Sequence, residues 1–129
     1  MEITDSGTIL FRNTMRVTDG HLDDFRVAIA RAVAFARERG PQLMVEVFID
    51  EERMVAHSFQ LYRDSDAIRT HWRLSDPYIQ EVMKHCTVRH LEVFGEPDRD
   101  IVASLGTFDF VVSPRLVGFN RLATPDRDA

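Results

Sequence analysis

The chain lacks the residue patterns that mark several large protein classes. It holds one cysteine, Cys86, among 129 residues. No intrachain disulfide can form, so a disulfide-stapled scaffold is excluded and a reducing, cytoplasmic setting fits. No apolar run approaches the roughly 18 residues of a membrane span. Lysine and arginine nowhere cluster. Sixteen of them stand against 21 Asp and Glu, for a net charge of −5, without the electrostatic footprint of a nucleic-acid binder. Residues 1–7 carry Glu2 and Asp5 and no apolar stretch, so no signal peptide is expected. A Gly-rich phosphate loop, a GxSxG elbow, an HExxH pair and a CxxC pair are all missing.

What is there reads as an ordinary globular domain, with 44% apolar and 29% charged residues. The length suits one domain over residues 1–129, with a core at about 8–113 and a C-terminal extension at 114–129. Residues 9–17 alternate as a strand, with Phe11, Asn13, Met15 and Val17 on one face and Arg12, Thr14 and Arg16 on the other. Residues 21–38 read as a helix with the stripe Leu22, Phe25, Ile29, Val33 and Ala36, stopped by Gly40 and Pro41. Residues 43–49 and 54–62 form a hairpin.

Asp64-Ser65-Asp66 starts a helix to about residue 73. Ser75-Asp76-Pro77 reads as a second start, with a third helix at about 78–85. A strand follows at 88–94, then a helical turn at about 100–105 and a strand at 107–112. Residues 116–119 are a candidate edge strand. Strand, helix, two strands, a helix pair and two strands describe a ferredoxin-like α+β fold, an antiparallel sheet with helices on one face. The other face is half apolar: Met44 and Phe48 alternate with Glu46 and Asp50, and Met54, Ala56 and Tyr62 with Ser58 and Gln60. Burial against a second copy of the chain, a homodimer, is the expectation.

Polar groups on apolar faces are the informative ones, because burying them is costly unless something bonds them. Asn13 sits among Phe11 and Met15. His57 shares the parity of Val55, Phe59 and Leu61, which is taken as the helix-covered face. Trp72, the lone tryptophan, precedes the Ser75-Asp76-Pro77 break. Tyr78, Val82 and His85 share one side of the third helix at intervals of four and three. A competing inward set is Ile79, Val82, Met83 and Cys86. His85, Cys86 and His90 are the nearest approach to a metal cluster, but they straddle a helix end and a strand, and no metal is expected there. Cys86 reads as a small buried residue.

Residues 8–97 resemble the antibiotic biosynthesis monooxygenase-like proteins, a group of dimeric α+β barrels. The resemblance rests on Phe11-Arg12-Asn13-Thr14-Met15, on Gln60-Leu61-Tyr62-Arg63-Asp64-Ser65-Asp66-Ala67, and most on His71-Trp72-Arg73-Leu74-Ser75-Asp76-Pro77-Tyr78. It implies a homodimer and a cofactor-independent monooxygenase acting on a small aromatic, phenolic or quinol compound. Members that form quinones carry a Trp and a Tyr six residues apart, as Trp72 and Tyr78 are. Heme-degrading members carry a first-strand Asn, a Trp three residues ahead of a Ser, and a ligating His. Asn13 and Trp72 match in place, but Val82 occupies the ligand position, with His85 about one turn later, which counts against heme.

Dioxygen accepts an electron from an electron-rich anion, so such an enzyme needs a dry cavity, a base and donors aimed at the developing oxyanion. Asn13, Trp72 and Tyr78 are the expected donors. His57 or His85 is the expected base, with His57 preferred. The different-class alternative is a non-catalytic ligand-binding or assembly domain on the same fold.

Overall fold

The computed structural model describes residues 7–122. Strand β1 (Ile9–Val17) leads into helix α1 (Leu22–Arg39), followed by β2 (Met44–Asp50) and β3 (Val55–Tyr62). Helix α2 (Ser65–Met83), β4 (Cys86–Phe94), the short α3 (Arg99–Ser104) and β5 (Phe110–Ser113) complete the order. The five strands make one sheet in the order β2-β3-β1-β4-β5, antiparallel except for the parallel β4–β5 edge. This is the α+β ferredoxin-like arrangement. No described helix is long and apolar enough to cross a membrane.

Helix limits follow local chemistry. Asp64 caps α2 by accepting from the Ala67 amide at 2.9 Å, which satisfies one of the orphan donors of the first turn. Gly40 ends α1 with φ −86°, and a Cβ there would stand 2.8 Å from the Ala36 carbonyl oxygen. Close approach, not a left-handed turn, is what this glycine provides.

The helix pair expected around Ser75-Asp76-Pro77 is instead one continuous helix with Pro77 inside it. Proline removes the amide that would bond the Arg73 carbonyl, but both residues are exposed and water can serve that group. Residues 116–119 form no strand.

Two clusters of buried side chains fill the space between sheet and helices. One gathers Phe11, Tyr62, Ile68, Val93, Ile101 and Leu105; the other gathers Met15, Val17, Phe25, Ala28, Val82 and Cys86. Ile101 and Leu105 bring the segment after Pro97 into the first of these. Arg69 on α2 holds that segment with bonds of 2.6 Å to both Asp98 and Asp100.

Register decides which residues face the helices. Asn13 pairs with Ser58, Phe11 with Gln60 and Met15 with Ala56, so the even-numbered residues of β3 lie on the helix side with Asn13. The expected assignment of His57 is therefore reversed. His57, Phe59 and Leu61 lie on the outer face with Arg12, Thr14 and Arg16. The apolar odd positions of β3 suggested the opposite, but a strand's facing follows its partner's, and β1 leaves no freedom.

Candidate active site

Between the inner sheet face and the helices lies a hollow of two adjoining lobes. The smaller, about 100 Å³, is bounded by α1, α2 and the inner residues of β1, β2 and β3. The larger, about 350 Å³, lies between β1, β4, α2 and the α3 segment, where Leu105 and Phe108 form part of its wall. Asn13, Gln60, His71, Ile79 and Met83 border both. The larger lobe falls within the usual size of small-molecule sites, and the mix of apolar walls with a few convergent polar groups is the usual construction.

The polar groups form a connected chain. Tyr62 donates its hydroxyl to Gln60 Oε1 at 2.7 Å, and Gln42 donates to the same oxygen at 3.1 Å. Gln60 in turn donates to Ser58 Oγ at 3.3 Å. Gln42 Nε2 and Ser75 Oγ each lie 2.9 Å from His71 Nδ1. With Gln42 as donor, His71 Nδ1 accepts and Nε2 carries the proton. Burial holds the His71 imidazole down to about 4, so it is neutral near pH 7. Burial also raises Tyr62 far above the usual phenol range. The network is therefore uncharged throughout.

Asn13 Oδ1 is buried and has no hydrogen-bond partner among the described residues, and the same is true of Gln42 Oε1. Leaving a buried acceptor unsatisfied costs about 1–3 kcal/mol, and both residues border the smaller lobe. Trp72 is half-buried, packs against the first core cluster, and lines the larger lobe.

The five residues singled out from the sequence are thus divided. Asn13 and Trp72 border the same lobe. His57 lies on the opposite sheet face, its Nδ1 3.4 Å from Thr14 Oγ1. Tyr78 turns toward α1 and stacks on Phe35, with ring centroids 4.5 Å apart and planes 20° apart. His85 lies beyond the C-terminus of α2, its Nδ1 3.0 Å from His21 Nδ1. The continuous helix explains the last two: without a break at Pro77, the inward side is Ser75, Ile79 and Val82, and Tyr78 is rotated toward the neighbouring helix.

The residues missed are Gln42, Ser58, Gln60, Tyr62, His71 and Ser75. A signal for them existed. His71 and Ser75 share a helix face at i, i+4, and Ser58 and Gln60 share the parity that pairing with Asn13 requires. Cys86 is a poor nucleophile, because burial pushes its thiol up to about 11.

Comparison with known proteins bears on the fold. No protein-family model matches the chain, and no curated protein matches it. Solved structures do. MupZ from Pseudomonas fluorescens superposes with a TM-score of 0.71 at 15% identity, over 92% of this chain and 98% of that one. SnoaB from Streptomyces nogalater, a cofactor-independent oxygenase, gives 0.60 at 17% identity over 71% of this chain and 95% of its own. A candidate antibiotic biosynthesis monooxygenase from Caulobacter crescentus CB15 gives 0.59 at 16% identity, over 69% and 89%. The chain therefore has the fold of antibiotic biosynthesis monooxygenase-like proteins.

Proposed function

We propose that the protein is a cofactor-independent monooxygenase acting in the cytoplasm, as a homodimer, on a small neutral aromatic compound of phenolic or quinol type. The observation that carries this reading is the buried, unpartnered amide oxygen of Asn13, a residue that borders the hollow together with His71 and Trp72. A phenolic hydroxyl can donate to Asn13 Oδ1 while its oxygen accepts from a second group. As that oxygen becomes anionic, its proton passing to solvent water, N–H donors fixed in an apolar surround favour it. His71 Nε2–H and the Trp72 indole N–H are the donors for that role. With dioxygen as co-substrate, an activated methylene carbon takes one oxygen atom as a carbonyl. The second oxygen leaves as water with the two hydrogens.

The site works by holding the anion more than by removing the proton. His71 is too weak a base near neutrality, its Nδ1 lone pair already accepting from Gln42. The hydrogen-bonded network is neutral, with the carboxylate of Asp76 at the border of the larger lobe, and the position seven residues past Ser75 is the buried Val82, which offers no imidazole for heme iron.

The same feature sustains a second reading, a non-catalytic binding module, since a site without a strong base holds ligands as readily as it transforms them. The readings separate by oxygen uptake against a panel of hydroquinones and anthrones. The monooxygenase reading expects uptake by the native chain and a loss of roughly tenfold or more in Asn13→Ala and Trp72→Phe. Equal rates in the variants would end the assigned roles, and no uptake with saturable binding would leave the module.

The homodimer reading is supported by the outer sheet face. Phe48 is 56% exposed there and meets Phe59 edge to face at 5.9 Å. Leu116 and Val117 lie along the same face beside Met44, Leu61 and Phe94. Apolar surface gathered in this way marks an interaction site more often than scattered single residues do.

A further inference from the structure

At the other end of α2, away from the hollow, three side chains with metal-binding chemistry converge. His21 Nδ1 and His85 Nδ1 are 3.0 Å apart, and an Asp24 carboxylate oxygen joins them with all three ligand atoms within 4.8 Å of one another. We propose that His21, Asp24 and His85 form a binding site for a divalent zinc-like cation. Nitrogens bound to one zinc at roughly 2.0–2.1 Å stand about 3.3–3.4 Å apart at the tetrahedral angle, so the imidazole pair at 3.0 Å would open by a few tenths of an ångström to take the ion.

The site is built, not a chance meeting of mobile surface groups. His21 immediately precedes α1 and Asp24 lies one turn on, so both project from one side of its first turn. His85 is held at the α2–β4 junction by backbone bonds. Its carbonyl accepts from the Thr18 amide at 2.9 Å, Thr18 accepts from the His21 amide at 2.9 Å, and His21 accepts from the Phe25 amide at 2.8 Å. The two imidazoles are half-buried while Asp24 is exposed, leaving one side open for water as a fourth ligand.

Glu81 completes the surroundings. Its carboxylate lies 3.9 Å from His85 Nε2 and is paired with Lys84 at 3.0 Å. The bound ion would clip the start of α1 to the end of α2, the two helices that bound the smaller lobe. Because it would bind only the folded chain, it would raise thermal stability.

The test uses the full chain without a polyhistidine tag, treated with chelator and desalted, then titrated with Co²⁺ and Zn²⁺ by calorimetry and visible absorption. Saturation at one equivalent in the low micromolar range, cobalt d–d bands and a higher melting temperature are expected. His21→Ala and His85→Ala should weaken binding by more than the roughly 10- to 100-fold that loss of an outer-shell partner costs. Asp24→Asn, at an exposed position that threatens no packing, should weaken it measurably, while His57→Ala and His90→Ala leave it unchanged. Absence of saturable binding below millimolar metal would overturn the proposal. So would affinity that survives in both His21→Ala and His85→Ala, or that disappears in His90→Ala.

Discussion

His71→Gln should flatten the acid limb of the stability profile. In the unfolded chain this imidazole takes up its proton near 6.5, but burial delays uptake in the folded chain until about 4. Between those values the unfolded state binds the additional proton, so stability falls as the medium is acidified. The contribution is fully present above about pH 6.5 and is lost progressively down to about pH 4. At roughly 1.4 kcal/mol per pH unit, the full interval is worth about 3.5 kcal/mol, of which about 3 is lost by pH 4. That is a large fraction of the 5–15 kcal/mol typical of a domain.

Glutamine retains an amide donor and acceptor but does not titrate, and its own cost at neutral pH cancels when each protein is compared with itself. Urea denaturation followed by Trp72 fluorescence and circular dichroism at several pH values between 7 and 4 gives the two profiles. The native chain should lose about 3 kcal/mol more than the variant across that range. Carboxylates and the other histidines titrate in both proteins, so only the difference is read. Parallel profiles would refute both the burial of a neutral imidazole and the hydrogen-bond network drawn around it.

Tyr78→Phe should leave oxygen uptake unchanged and stability within about 0.5 kcal/mol, since the ring stacked on Phe35 is kept. Tyr78→Ala should cost about 2 kcal/mol in chemical denaturation, and loss of activity in Tyr78→Phe would return that hydroxyl to the site. Phe48→Asp should convert a dimer to a monomer in sedimentation without lowering the melting temperature of the monomer. A native chain that sediments as a monomer at every concentration would remove the interface instead.

Local chemistry made much of the architecture readable in advance. The alternation of Phe11, Asn13, Met15 and Val17, the stripe on α1, the Asp64 cap and the polar hairpin between β2 and β3 each follow from neighbours a few residues apart. They led to the α+β sandwich of sheet and helices, and they placed Asn13 correctly on the covered face. Tertiary structure alone decided the rest of the hollow. Whether His57 or Ser58 faces the helices depends on register with β1, a one-residue choice that exchanges every side chain between faces. The helix α2 likewise runs unbroken through Pro77, which puts Tyr78 against Phe35 of α1 and Ser75 toward the hollow. Gln42, Gln60 and His71 lie far apart along the chain, so only the folded molecule could join them into one network or bring His85 to His21.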